Sequence, residues 1–176
     1  RRVLFRSKLD DNASSFYYVT SKSGAVAEVN SFSGLSGAIA DSGAATLNID
    51  LATVKTAVDV RDQRMRDIVF QVMKFPQAEV SVKVDSAALD KLAAGTMQSA
   101  AYPATVKLHG MSAEMSAQLQ IVKLANNAVQ VHLAKPLLVG AATFGLTEAV
   151  EELRTLANLP SISPNVTVEF TLVYRK

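Results

Sequence analysis

The densest run of side chains able to do chemistry is Arg61-Asp62-Gln63-Arg64-Met65-Arg66-Asp67. Arg61, Arg64 and Arg66 could form a polar collar that meets a carboxylate or phosphate, which guanidinium groups bind through charge-assisted hydrogen bonds; Arg61, Asp62 and Arg64 are the head-group or rim candidates. The competing reading is structural. Asp62 would sit in the first turn of a helix, where the dipole favours a carboxylate, and the arginines would pair with Asp59 and Asp67 on a solvated face. The residues alone favour that second reading. His109 and His132 are the only histidines. Neither has a partner at ligand spacing, so exposed or hydrogen-bonded rings are expected rather than a metal site. No Gly-x-Ser-x-Gly elbow, phosphate-binding loop or dinucleotide fingerprint occurs. With no cysteine in the chain, disulfides, thiolate catalysis and Cys-ligated metals are excluded.

The elements that must position these residues are mostly strands. Phe16 and Tyr18 alternate with Ser15, Tyr17 and Val19, and Ser21-Lys22-Ser23-Gly24 ends that strand. Ala25 to Ile39 reads as two short strands, or one strand kinked at Gly34 and Gly37, as at a barrel corner. Asp41-Ser42-Gly43 is a turn. Leu47, Ile49 and Leu51 then alternate with polar neighbours, the period of a half-buried strand. Met65, Ile68/Val69 and Val72/Met73 recur at helical spacing, and Phe75-Pro76 turns the chain into a strand carrying Val80, Val82 and Val84. Ala87 to Leu92 predicts a short helix closed by Gly95. Pro103 opens a strand with Val106 and Leu108 on one face, and Gly110 to Ala113 turns it. Met115, Ala117, Leu119 and Ile121 run back, and Val129, Val131 and Leu133 follow after Ala125-Asn126-Asn127. Leu146, Val150, Leu153 and Leu156 stripe an amphipathic helix. Its other face mixes Glu151, Glu152 and Arg154, a composition suited to plugging or flanking a barrel rather than to anchoring in a membrane. Val166, Val168, Phe170, Leu172 and Tyr174 form the closing strand. About eight strands without a βαβ rhythm predict an all-β fold, an eight-stranded antiparallel up-and-down barrel with a few short helices, whose interior holds either side chains or one small ligand.

Length and composition are consistent with that. At 176 residues, 49% hydrophobic and 19% charged, the chain is one domain with a substantial apolar interior. A net charge of +2 argues for neither nucleic acid nor an anionic surface as a partner. The opening RRVLFRS has a basic start but only three apolar residues, far short of a signal-peptide core, and looks like a translated cloning adapter. Residues 1–7 are therefore expected to be a non-native extension and residues 8–176 a single domain. Small residues at inward strand positions, Ala45, Ala78, Ala104 and Ala117, leave room inside, so the pattern alone leaves a filled and a hollow barrel both open.

Several landmarks occur together in a fixed order. They are Ile49-Asp50-Leu51 on a strand, Thr56 in a linker, Arg61-Asp62 opening a helix and Lys74-Phe75-Pro76 leading into the next strand. Leu108-His109-Gly110 and Thr143-Phe144-Gly145-Leu146 follow. In this, the stretch from Ser15 to Tyr174 resembles the YceI-like family of lipid-binding proteins. The resemblance implies an extended lipocalin-like barrel that holds a long amphiphile, an isoprenoid chain or fatty-acid derivative, without catalysis. It implies a bacterial periplasmic or secreted protein, and a placed role for Arg61 at the rim. The expected lumen is lined by Leu47, Ile49, Leu51, Val80, Val106 and Leu108, with Val129, Val131, Phe170 and Leu172 completing it. Met65, Phe70, Phe75 and Phe144 are expected to close it. Burying a tail of on the order of 15 carbons at ~0.8 kcal/mol per methylene yields roughly 12 kcal/mol, enough to offset the several kcal/mol that association costs. No cofactor is expected beyond a bound lipid such as an isoprenoid or isoprenoid quinone. Nucleic acid and stable membrane insertion are not expected, and a homodimer is left open. The alternatives are a quinone-holding electron-transfer or stress-response helper, and a filled-barrel interaction protein.

Overall fold

The computed structural model describes residues 5–176, with side chains described from residue 6. Twelve strands make eight staves, because several staves break in the middle. β1 (Phe5–Leu9) and β2 (Ser15–Lys22) lie end to end. Beside them run β3 (Val26–Phe32) and β4 (Leu35–Ala40), then β5 (Ala44–Asp50) with the short β6 (Val54–Lys55). β7 (Gln77–Lys83), β8 (Met97–Leu108) and β9 (Met111–Lys123) follow in meander order. β10 (Val129–Leu133) and β11 (Leu137–Gly140) share one edge of β12 (Asn165–Arg175). The opposite edge of β12 pairs with β1 and β2, through Leu9↔Tyr174 and Phe16↔Phe170. Every pairing is antiparallel and the ring closes on itself, so this is a closed eight-stranded antiparallel barrel.

The break between β3 and β4 has a packing cause. At Gly34 a side chain would sit 2.8 Å from the Thr53 Cγ2 atom and 2.9 Å from the Asp50 Cβ. The absent side chain lets the facing break between β5 and β6 nest there, tied by Asp50 N–H to Gly34 O at 2.8 Å and Gly34 N–H to Thr53 Oγ1 at 3.0 Å. The two joints thus bend together, and the staves curve without losing hydrogen bonds.

The helices sit at the two ends. At one end α1 (Asp59–Arg64) runs into a π-helical turn, Met65–Val69, and α3 (Thr147–Leu156) packs against that turn. At the other end lies α2 (Ser86–Lys91). Two non-glycine residues of positive φ, Ala57 (62°) and Gln71 (49°), bracket the α1–π segment, the backbone state in which L-residues are uncommon.

Several local expectations are corrected. The helix predicted through Met73 stops at Val69, since Gln71 turns left-handed; Met73 is 97% exposed on a loop. Pro103 lies inside β8 rather than at its start. It falls one residue beyond the last β7–β8 pair, Val82↔Ala104, where that edge of β8 is free, which is the placement a proline needs in a strand. The turn expected at Gly110–Ala113 is the tighter pair His109–Gly110, both at positive φ, as a two-residue hairpin of the mirror-image type requires. Gly95 does not cap α2, which ends at Lys91 with Leu92 as its C-cap. β11 has no counterpart among the predicted strands. Of the seven opening residues expected to be foreign, 1–4 lie outside the described residues, whereas Phe5 to Ser7 belong to β1, paired to β4.

Candidate functional site

Side chains alternate along each stave, so every second residue faces the axis. On β2 and β12 those are Phe16, Tyr18, Val168 and Phe170; on β5, Leu47 and Ile49; on β9, Ala117, Leu119 and Ile121. They do not fill the interior. A cavity of ≈ 250 Å³ occupies the half of the barrel beneath α1 and α3, and its lining is almost wholly apolar. The alanines at 78, 104 and 117 are part of that lining, where larger side chains would consume the space. A second cavity of ≈ 70 Å³ lies toward α2, bordered by Ile39, Val84, Leu89, Ile121 and Tyr174. Leu47, Val80, Val82, Leu119 and Phe170 border both, so the two hollows are stacked along one axis.

The cover over the larger cavity is made of helix ends. Met65, Val69 and Phe70 face inward from the π turn, and Phe70 meets Phe32 at 5.8 Å between ring centroids. Phe144, fully buried, comes from a 3₁₀ turn (Ala141–Phe144), Leu146 from the N-cap of α3, and Val150 and Leu153 from α3 itself. Gly145 at φ 66° makes the bend that turns this segment from barrel wall to cover. The helix stripe read from the sequence is thus aimed at the cavity, except Leu156, which is exposed.

Thirteen of the fourteen residues expected at the lumen border one cavity or the other. Leu47, Ile49, Leu51, Met65, Phe70 and Val80 do so, as do Val106, Leu108, Phe144 and Phe170. Val129, Val131 and Leu172 border the smaller one. Phe75 is the correction. Its ring packs 4.6 Å from the His109 ring and against Gly110, under the β8–β9 hairpin, because the left-handed Gln71 swings the Phe-Pro step away from the axis. Sequence reasoning did not assign Phe16, Tyr18, Thr20, Phe32 or Leu119 to the site. Their alternation was visible, but which face of each strand turned inward was not.

Of the rim candidates, Asp62 is only 3% exposed and accepts from the Thr56 backbone N–H at 2.7 Å and the Thr56 hydroxyl at 2.6 Å. It thereby satisfies two donors of the linker ahead of α1, whose own first turn has no side-chain cap. Arg61 does not pair with Asp59 or Asp67, as the sequence predicts. Its Nη1 donates to Glu28 Oε2 at 2.7 Å and its Nη2 to the Thr56 carbonyl. Arg64 is half-buried and does not border either cavity. His132 Nε2 lies 2.5 Å from Gln120 Oε1 on the outer face of β9 and β10, and His109 forms the hairpin turn.

One corner of the larger cavity is polar. On β2 and β3, Tyr18 stands opposite Asn30, and Thr20 opposite Glu28. Tyr18 and Thr20 border the cavity. Asn30 Nδ2 donates to Thr20 Oγ1 at 3.3 Å, and Glu28 also accepts from Lys22 Nζ at 3.1 Å. Burial alone would raise the Glu28 carboxyl, but the Lys22 ammonium and Arg61 guanidinium together hold it below its usual value. The Tyr18 phenol is pushed well above its ordinary value by burial, a shift that the nearby Arg61 charge opposes and Asp62 reinforces.

The family model described as the YceI-like domain matches residues 8–174. Among solved structures, a polyisoprenoid binding domain from Saccharophagus degradans implicated in plant cell wall breakdown is similar, with 40% identity and a TM-score of 0.95. The match covers 97% of this chain and 98% of that one. BcnA of Burkholderia cenocepacia shares the fold at 15% identity and TM-score 0.71, over 94% of this chain and 98% of its own. A Campylobacter jejuni YCEI protein shares it more loosely, at 17% identity and TM-score 0.52, over 80% of this chain and 82% of its own. No curated protein matches the chain.

Proposed function

The chain belongs to the YceI-like family, and from that premise we propose that it binds an amphiphilic lipid, a polyisoprenoid or a fatty-acid derivative, inside the barrel and carries or stores it without catalysis. The observation that carries this reading is the apolar hollow of ≈ 250 Å³ stacked on a second of ≈ 70 Å³ with which it shares wall residues, an arrangement that suits a long chain better than a compact molecule. The binding assigned to the Saccharophagus degradans domain points the same way. Burial of each methylene stabilises by about 0.8 kcal/mol, so affinity needs few polar contacts. The cover is a reasonable gate, since the positive-φ residues Ala57 and Gln71 stand at the two ends of the segment that carries Met65, Val69 and Phe70. We place the protein in the periplasm or outside the cell, where a lipid crossing between membranes needs shielding from water.

Native mass spectrometry after gentle purification, followed by challenge with prenyl and fatty ligands, tests the reading. Retained or acquired lipid at a stoichiometry of one is the expected result. A protein that always arrives empty and takes up neither class overturns it. Ile49→Trp gives an orthogonal check. Ile49 borders the cavity and lies opposite Ala78 across the β5–β7 pair, so an indole there has space to enter. It should abolish uptake and leave the fold intact, whereas overpacking a filled core would cost ~1–3 kcal/mol.

A further inference from the structure

Three of the five buried side-chain polar atoms that lack any hydrogen-bond partner among the described residues are in one place: Tyr18 Oη, Asn30 Oδ1 and Arg61 Nε. Tyr18 and Asn30 face each other across the β2–β3 pair, only 6% and 4% exposed, and Tyr18 borders the larger cavity. Native proteins leave few buried polar groups unpaired, so such a cluster marks a missing partner. Next to it, the inward charges already cancel. Arg61 is bound to Glu28, Glu28 to Lys22, and Asp62 adds a second carboxylate. Lys55 approaches Asp62 at 3.9 Å, but from the solvent side. Among the described residues, each cation in this corner already has a carboxylate partner, so none is left over for a phosphate or a carboxylate.

We infer that the corner formed by Tyr18, Asn30 and Thr20 recognises the head of the bound lipid, and that this head is an uncharged, hydroxyl-bearing group. A hydroxyl both donates and accepts, so one such group pairs the Asn30 carbonyl oxygen and the Tyr18 phenol together. The inference rests on the lipid-binding reading and adds to it an orientation. The head lies at the α1 end beside β2 and β3, and the tail points along the axis toward α2, where the lining is apolar apart from Thr46 and a Tyr174 hydroxyl already bonded to the Thr46 carbonyl at 2.9 Å. It also reassigns the head-group role from the arginine run of α1, whose foremost member is occupied by Glu28, to side chains of the barrel wall.

Three probes with one tail and different heads test it, farnesol, farnesyl diphosphate and the hydrocarbon farnesane, each read by displacement of a bound fluorescent fatty dye from the full chain. Farnesol is expected to bind about tenfold or more tighter than either of the others. Tyr18→Phe should weaken farnesol about five- to tenfold and leave farnesane unchanged. Because it deletes a hydroxyl that has no partner, the same substitution should leave the Tm of the empty protein unchanged or slightly higher, which separates loss of recognition from loss of fold. Asn30→Leu supplies a second variant with the same expected selectivity. Equal binding of farnesol by wild type and both variants, or diphosphate binding as tight as the alcohol, overturns the head-group site while leaving the carrier reading standing. Failure of farnesol to displace a dye that does bind likewise overturns the head-group site alone, whereas failure of the dye and of all three probes to bind overturns both.

Discussion

At the scale of single residues, Asp62 matters more to the fold than to recognition. Its carboxylate holds two donors of Thr56, and the Thr56 carbonyl in turn receives Arg61, so one buried acid ties the linker, the helix and, through Glu28, the β3 wall. Asp62→Ala strands the Thr56 N–H in the interior and leaves its hydroxyl only the Val58 carbonyl at 3.3 Å; it is expected to cost about 2–4 kcal/mol in urea unfolding, with Asp62→Asn costing less because an acceptor oxygen survives. Two tyrosines set the alkaline limit. Burial pushes the phenols of Tyr18 and Tyr174 upward, so the folded state prefers them protonated while the unfolded chain releases their protons at ordinary values. Their contribution is whole below roughly pH 10 and declines as pH rises toward the folded values. Tyrosinate absorbance from these two should therefore appear together with loss of β-sheet circular dichroism; their ionisation in a barrel that stays folded would contradict the assigned burial.

At the scale of elements, the β8–β9 hairpin shows how a turn is fitted to the Phe75 ring packed beneath it. His109 and Gly110 both adopt positive φ, and a methyl group at Gly110 would lie 2.9 Å from the Phe75 ring. Gly110→Ala should therefore lose about 1–2 kcal/mol, read as a Tm decrease of about 2–4 °C per kcal/mol. Elements with clean alternation were legible in the sequence: β2, β5, β7, β9, β10 and β12 all lie where period two placed them. Elements defined by their partners were not. β11 has only four residues and exists because β12 extends past β10 and offers Asn165 to Val168 as an edge. The π turn needs Gln71 to reverse direction, and apolar spacing through Met73 carries no sign of that.

For the whole molecule, closure depends on β12 reaching both edges. β1 supplies part of one edge and pairs with β4 on its other side, so it seals the seam between the two ends of the meander. Deleting residues 1–9 leaves one edge of β4 and one edge of the end of β12 unpaired, and should lower stability by at least ~3 kcal/mol, roughly 6–12 °C in Tm. Thermal unfolding at matched concentration checks it; an unchanged Tm would mean that β1 adds nothing to closure. The same seam explains why Ser7 is buried, although nothing in RRVLFRS reads as a strand.

What the amino-acid order determined alone was periodic: the number and direction of the staves, and the Arg-Asp and Phe-Pro landmarks of the family. Period two fixes alternation but not which face turns inward, and it is blind to contacts between residues far apart in the chain. Tertiary structure therefore decided that Arg61 meets Glu28, 33 positions away, that Phe75 leaves the lumen, and that Tyr18 and Asn30 share a polar corner of a greasy hollow. Those outcomes depend on which strands lie side by side, a property of closure rather than of any local stretch.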